Sequence, residues 1–408
     1  MMAEKNNVRK RLGTLIVAAL GITLLSIAPS YGQSRDYSET NDSIRLLMMD
    51  AGLQMDIAEA INDMYNFNMD EARQQFIWLR SYAPEHPLYP FLMGLSYWWM
   101  IMPNPENKEY DKIFLQYMDL TIDRAKALEK KDPNHPEANF FLAAAWGFKG
   151  RLYSDRANYA MATLAGKNAV NYLSEGRKYT DYGPEFLFGD GLYNYYSVYV
   201  AETMPGLRPV IAMFPDGDKQ LGLNQLLEVS RFAFYTRTEA QCFLLSILSQ
   251  EPQRGREALL TGEYLHQTYP NNPYFHRQYA RLLFTRGRYD QVEEECLEIL
   301  QRIDSGMLGY EGTSGRWASY FLGQVYEGRK DYARAKIYFK KAEYFGEETE
   351  QTEQGYYLYS LLELAAIAKK EGDEAEATRL YRKIKWYAKR SHPAHERARE
   401  LLRKQRRG

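Results

Sequence analysis

The chain has 408 residues, 45% of them hydrophobic and 26% charged, with 52 Lys and Arg against 53 Asp and Glu and a formal net charge of -1. That composition can bury a core, and it excludes a disordered polymer and a broadly basic nucleic-acid binder. With only Cys242 and Cys296, a disulfide-stapled scaffold is excluded too, and both are expected as small buried residues.

The first segment reads as an address. Lys5, Arg9, Lys10 and Arg11 precede an apolar run from Leu12 to Ala28, and Ser30 and Gly32 stand just before a cut expected ahead of Gln33. Residues 1–32 are therefore read as a signal peptide, and the mature protein as exported and periplasmic, with 48 basic against 52 acidic side chains. The alternative is an uncleaved inner-membrane anchor, but 17 apolar residues lie at the short edge of a spanning helix. No cysteine stands near the cut to carry a lipid. Residues 33–42 read as a flexible lead-in.

From residue 43 a helical pattern repeats, with apolar residues at spacings of three and four and Pro or Gly at the joints. A copy starting at Leu53 places Ala60 in a first helix, Ala72 and Phe76 in a second, and Pro84 at the end. Pro87 opens the next, with Gly94 and Tyr97. After the inserted "MPNPENKEY", Pro136 opens a third, with Ala143 and Trp146, and Pro184 a fourth. Glu239 opens the fifth, with Ala258 and Pro270, and Pro273 the sixth, with Ala280 and Cys296. The seventh and eighth open near Arg316 and Leu358, and a last helix begins near Pro393.

The seventh copy shows the pattern most fully, with Gly323, Tyr326, Ala335, Phe339 and Ala342 at its small and aromatic positions. It resembles the tetratricopeptide repeat, in which such positions let two antiparallel helices pack closely. The resemblance implies an all-α, tetratricopeptide-type superhelical solenoid of about eight helix pairs with a capping C-terminal helix. The expected organisation is an N-terminal array over 43–235 with insertions near 101–117 and 201–217, a C-terminal array over 236–392, and a basic cap over 393–408.

The stretch from Phe188 to Ser230 is the most unusual, with Gly189, Gly191, Leu192, Tyr193, Asn194, Ser197 and Pro205 followed by Gly217, Asp218, Gly222, Leu223 and Leu226. It is similar to a segment of the tetratricopeptide repeat domain 39, or inclusion-body-clearance, family, which brings no catalytic residues with it. Its glycines are read as close-packing positions, because no strand precedes them and "PDGDKQLG" lacks calcium-loop spacing.

No nucleophile elbow and no Cys-His pattern is visible, so no enzyme activity, cofactor or metal is expected. Among the six histidines, His86 and His135 lie in Pro-bounded joints, while His266 and His276 flank another and are expected to cap or pack. His392 and His395 stand three apart without a third ligand in view. From Arg379 to Gly408 there are 12 basic residues against Glu396 and Glu400, which suits a solvated cap or contact with an anionic membrane surface or acidic partner.

The tetratricopeptide resemblance also implies a groove lined by one face of the first helices. Carried over, that face holds Tyr274, Arg277, Arg281 and Phe284 in the sixth repeat, Trp317, Tyr320, Gln324 and Glu327 in the seventh, and Tyr359 and Lys369 in the eighth. Aromatics interleaved with cations suit a peptide with acidic groups. The expected function is a non-catalytic exported scaffold that holds a protein or extended peptide, in cell-envelope assembly or maintenance, with no nucleic-acid partner. The alternative is a carbohydrate-binding protein using the groove aromatics.

Overall fold

The computed structural model of the chain describes residues 46–405 apart from 204, 206, 207, 209–211, 213 and 214. The signal peptide and lead-in expected over 1–42 lie outside the described residues, as do Arg406 and Arg407. Among the described residues there are 17 α-helices and no strand, and no helix is long and apolar enough to cross a membrane. The protein is all-α, built of tetratricopeptide-type helix pairs.

The chain forms two compact units: one runs to Ile101 and resumes over Asn107–Arg254, the other takes Met102–Glu106 and everything from Gly255. The first unit contains α1 (Ala51–Tyr65) and α2 (Met69–Tyr82), α3 (Leu88–Ile101) and α4 (Asp111–Lys131), α5 (Pro136–Asp155) and α6 (Tyr159–Gly176), α7 (Leu187–Thr203) and α8 (Lys219–Phe232), and α9 (Arg237–Gln250). The second contains α10 (Gly255–Thr268), α11 (Pro273–Thr285) and α12 (Tyr289–Asp304), α13 (Gly312–Gly328) and α14 (Tyr332–Glu348), α15 (Gly355–Lys370) and α16 (Glu374–Tyr387), and α17 (Pro393–Gln405).

The units therefore divide after Arg254, beyond the expected boundary at 235. The cause is Glu185, buried in the first unit, whose carboxylate accepts hydrogen bonds from the backbone N–H groups of Phe234, Tyr235 and Thr236 and from the Thr236 hydroxyl. These donors lie just ahead of α9 and fasten that helix to the Pro184–Phe186 turn.

Tight hairpins join most pairs. Between α1 and α2, α5 and α6, α11 and α12, α13 and α14, and α15 and α16, the link is three residues with a left-handed middle one: Phe67, Ala157, Gly287, Lys330 and Gly372, at φ between 57 and 82°. The same backbone solution recurs whether or not the residue is glycine, as repetition of one hairpin requires. Side-chain caps then start the helices: Asp50 accepts from Leu53 N, Asn158 from Met161 N, Asp331 from Arg334 N and Asp373 from Glu376 N.

Small residues set how closely the paired helices approach. Ala60, Ala72, Ala335, Ala342 and Ala377 are fully buried, and a Cβ added at Gly323 would run into the Phe339 ring of α14. In the first unit the α7–α8 contact is closer still. A Cβ at Gly222 would overlap the Tyr195 amide nitrogen and meet the Gly191 carbonyl oxygen at 2.7 Å, so the two backbones touch. The glycines of the central stretch thus act in packing, and α8 starts only at Lys219, capped by Asp218, after the 204–218 link.

Candidate functional site: the groove face of the C-terminal unit

The first helices α11, α13 and α15 carry the residues assigned to the groove. Pro273 opens α11 and Asn272 caps it, its Oδ1 accepting from the N–H groups of Tyr274 and Phe275, while Glu311 caps α13 through Thr313 N. With their starts fixed, helices of 3.6 residues per turn present their side chains in rows.

One aromatic ladder crosses all three helices. Phe284 lies 6.5 Å from Tyr320, Tyr320 stacks on Tyr356 at 4.8 Å and 22° and approaches Tyr359 at 6.5 Å, and Trp317 meets Tyr356 edge-on at 5.0 Å. Tyr356 is buried, and the other four rings are half-buried against it, one another and the core of Phe321 and Leu361. Gln324 donates from Nε2 to Glu363 Oε1 at 3.2 Å, and Glu327 pairs with Lys370 at 3.8 Å. Burial, then the neighbouring Glu327 charge, push the Glu363 carboxyl above the usual carboxylate range. Arg281 donates to Gln278 at 2.9 Å, Tyr274 is half-buried, and Lys369 is exposed, 3.5 Å from Glu374.

Arg277 departs from the expectation of a groove-lining contact. It is only 4% exposed: Nη1 donates to the Pro103 carbonyl at 2.8 Å and to Ser314 Oγ at 3.0 Å, and the guanidinium lies 5.2 Å from the Trp317 ring centre. The inserted segment Met102–Glu106 itself covers it. Gln351 holds the next residue of that segment, its Nε2 donating to Asn104 Oδ1 at 3.0 Å and to Thr313 Oγ1 at 2.9 Å, while Arg316 Nη1 donates to the Gln351 carbonyl at 3.2 Å. A non-helical piece of chain is thus read here by its backbone carbonyl and a side-chain amide. The sequence marks "MPNPENKEY" as an insertion but contains no signal for where it goes.

The first unit has a cavity of about 230 Å³ among α5, α6, α7 and α9, walled by Phe140, Phe148, Leu173, Phe188, Tyr196 and Phe243, with Asp190 and Arg151 among its few polar residues. The central stretch therefore packs through Gly191 and also lines this space, which the sequence does not show. The available hint is the run of small residues Ala143, Ala144 and Gly147, which leaves α5 thin on this side. Asp190 on the cavity wall belongs to a ring of hydrogen bonds: Arg177 Nε donates to Asp190 at 2.7 Å and Nη2 to Asn194 at 3.0 Å, Asn194 donates to Gln225 at 2.9 Å, and Gln225 donates back to Asp190 at 2.7 Å.

No family model matches the chain, and no curated protein matches it. Among solved structures, the human IFIT1 dimer with m7Gppp-AAAA matches at 14% identity and a TM-score of 0.40, over 78% of this chain and 67% of that one. The human IFIT1 dimer with PPP-AAAA matches at 14% identity and 0.40, over 78% and 68%. A monomeric mutant of IFIT1 with Gppp-AAAA matches at 14% identity and 0.38, over 78% and 67%. The tetratricopeptide character of this chain rests on its own helix pairs and the small residues between them.

Two of the six histidines serve caps. His86 Nδ1 accepts from Leu88 N at 3.2 Å while Nε2 meets Glu137 at 3.1 Å, and His392 Nδ1 accepts from Ala394 N at 3.1 Å. His266 and His276 do otherwise, both turning to Glu295. At the C-terminus, Lys383 pairs with Glu343 at 2.6 Å, Lys389 with Glu353 at 2.7 Å and Arg379 with Glu376 at 2.6 Å, so much of the basic charge is matched within the array. Cys242 and Cys296 are both free thiols, half-buried and buried, and burial pushes both well above the usual thiol range.

Proposed function

We propose that the protein is a non-catalytic binding scaffold that holds a non-helical segment of a partner protein along the groove face of α11, α13 and α15. The observation that supports this reading most is the grip of Arg277 and Gln351 on Pro103 and Asn104. A buried guanidinium that donates to a backbone carbonyl, beside a side-chain amide, is a general reader of peptide. The face continues past those contacts through Tyr320, Gln324, Tyr359 and Lys369, where aromatic and charged groups alternate.

The carbohydrate reading draws less support, because the ring faces a sugar needs are engaged: Tyr320 stacks on Tyr356 and the Arg277 guanidinium lies over Trp317. The reading keeps the protein exported and in the cell envelope on the strength of the leader-like residues Lys5 to Gly32. It also keeps the kinship of residues 188–230 to the domain-39 family, for which the Gly191–Gly222 approach speaks. A nucleic-acid partner is set aside on charge balance alone. Photo-crosslinkers placed at Gln324 and Lys369 in producing cells test the scaffold. A discrete crosslinked protein at both positions is expected, whereas its absence at both, with binding to single-stranded RNA by the purified chain, would replace this reading with another.

A further inference from the structure

The cluster of His266, His276 and Glu295 has a geometry that capping and packing do not account for. Each residue comes from a different helix, the last turn of α10, the first turn of α11 and the middle of α12. The two imidazoles stack with centres 4.4 Å apart at 25°, and both turn Nε2 toward one oxygen, Glu295 Oε2, at 3.3 and 2.9 Å. One ligand atom from each residue falls within 4.8 Å of the other two. His276 is fully buried, and His266 and Glu295 are 13 and 20% exposed at their side chains, which leaves a route in from solvent.

His276 Nε2 and Glu295 Oε2 are buried and lie 2.9 Å apart, an ion-pair contact whose N–H···O alignment falls outside a directed hydrogen bond. Two stacked imidazoles cannot both hold a positive charge cheaply at this depth. They therefore bring lone pairs or weakly aimed N–H groups against a carboxylate oxygen, an arrangement that a cation among the three satisfies better than protons do. A four-coordinate zinc site with bonds of about 2.0–2.1 Å sets its ligand atoms about 3.3–3.4 Å apart. The two Nε2–Oε2 separations, 3.3 and 2.9 Å, lie within about half an ångström of that spacing.

The second shell is also in place. His276 Nδ1 lies 3.0 Å from the Tyr310 hydroxyl, which accepts from Arg302 Nη1 at 2.8 Å, and the Tyr279 ring stacks on His266 at 5.4 Å and 21°. Such partners fix the orientation of a ligating imidazole. Cys296, next along α12, is buried in the core cluster.

We propose that His266, His276 and Glu295 bind one divalent transition-metal cation of the zinc class, with the fourth position left to water. Two imidazoles and a carboxylate suit that class rather than calcium or magnesium, which take oxygen ligands. The cation would clamp α10, α11 and α12 together at the start of the C-terminal unit.

The test uses the purified full chain, stripped with a chelator and titrated with zinc chloride by calorimetry and with cobalt chloride by visible absorption. A His392→Gln/His395→Gln variant serves as background, so that those two histidines cannot supply the signal. One equivalent per chain, with the d–d bands of four-coordinate cobalt, is expected. His266→Gln and Glu295→Gln should each weaken binding by about 100-fold or more, and Tyr310→Phe by about 10-fold, as for an outer-shell partner. Absence of saturable one-to-one binding in the background variant, or equal affinity in His266→Gln and Glu295→Gln, overturns the site. Should both of those variants fail to fold by circular dichroism, the cobalt spectrum of the background variant decides: no four-coordinate bands, no site.

Discussion

Replacing Gly222 by Ala should destabilise the N-terminal unit, against the sign that helix propensity alone gives. Gly to Ala inside a helix is worth about 1 kcal/mol in favour of folding, chiefly by restricting the unfolded chain. At Gly222 the new methyl would overlap the Tyr195 nitrogen and lie 2.7 Å from the Gly191 oxygen and 3.0 Å from the Asn194 carbonyl carbon. All three are backbone atoms, so no side chain can swing away, and α7 and α8 must part along a seam that includes the buried Leu223, Leu226 and Val229. Overpacking costs about 1–3 kcal/mol, and a backbone clash belongs at the upper end, leaving a net loss of about 2 kcal/mol. Gly147, on α5 with nothing within 4 Å of an added Cβ, is the control, and Gly147→Ala should gain about 0.5–1 kcal/mol. Urea unfolding followed by tryptophan fluorescence reports mainly on this unit, which holds Trp78, Trp98, Trp99 and Trp146 of the chain's six tryptophans. A Gly222→Ala protein as stable as the parent would refute the close-approach reasoning, whatever Gly147→Ala does.

Other substitutions test other parts. Glu185→Ala strands three N–H groups and a hydroxyl in the interior ahead of α9, and should cost about 3 kcal/mol or more by the same assay; a loss below about 1 kcal/mol would show that water replaces the carboxylate. Glu239 is fully buried, and burial raises its carboxyl above the usual range although Trp99 Nε1 donates to it at 2.9 Å and Tyr65 at 3.3 Å. Its native form favours the proton, so its contribution is full below the unfolded value of about 4.3 and is lost as pH rises through the folded value. Glu239→Gln removes that dependence, and its stability relative to the parent should therefore rise as pH increases above the unfolded carboxylate value of about 4.3; parallel profiles would contradict the raised value. For the leader, N-terminal sequencing of protein from producing cells should begin at Gln33, and an intact Met1 in a membrane fraction would favour the uncleaved anchor instead.

Much of the fold was legible because repetition multiplies a weak signal. The positions of Ala60, Gly94, Ala280 and Gly323 each say little alone, but at one recurring place in successive copies they fix which helices pair and which face is buried. The close-packing role of Gly191 followed from the same register. What the register did not contain were contacts that leave it. Nothing in "MPNPENKEY" says that Pro103 lies on Arg277, because the carbonyl it offers is common to every residue. Glu185 looks like any acidic residue after a proline, and only the fold brings three N–H groups to it. His266, His276 and Glu295 sit 10 and 19 residues apart, on no single helix face, and meet only once α10, α11 and α12 are packed. Local pattern thus yields elements and pairing, while insertions and buried polar groups depend on tertiary placement.

The central claim, that the groove face of the C-terminal unit reads a peptide through Arg277 and Gln351, is tested most directly by competition with the chain's own segment. A fluorescent peptide of sequence MPNPENKEY, residues 102–110, is titrated against the full chain and against a variant in which Pro103, Asn104 and Pro105 are replaced by Gly, with binding read by anisotropy. Loss of the Asn104 contact and loosening of the segment together release about 1.5 kcal/mol, so the variant should bind the peptide about 10-fold more tightly than the parent. Adding Gln351→Ala should reverse that gain. Equal affinity for parent and variant, or a gain that survives Gln351→Ala, would contradict the account.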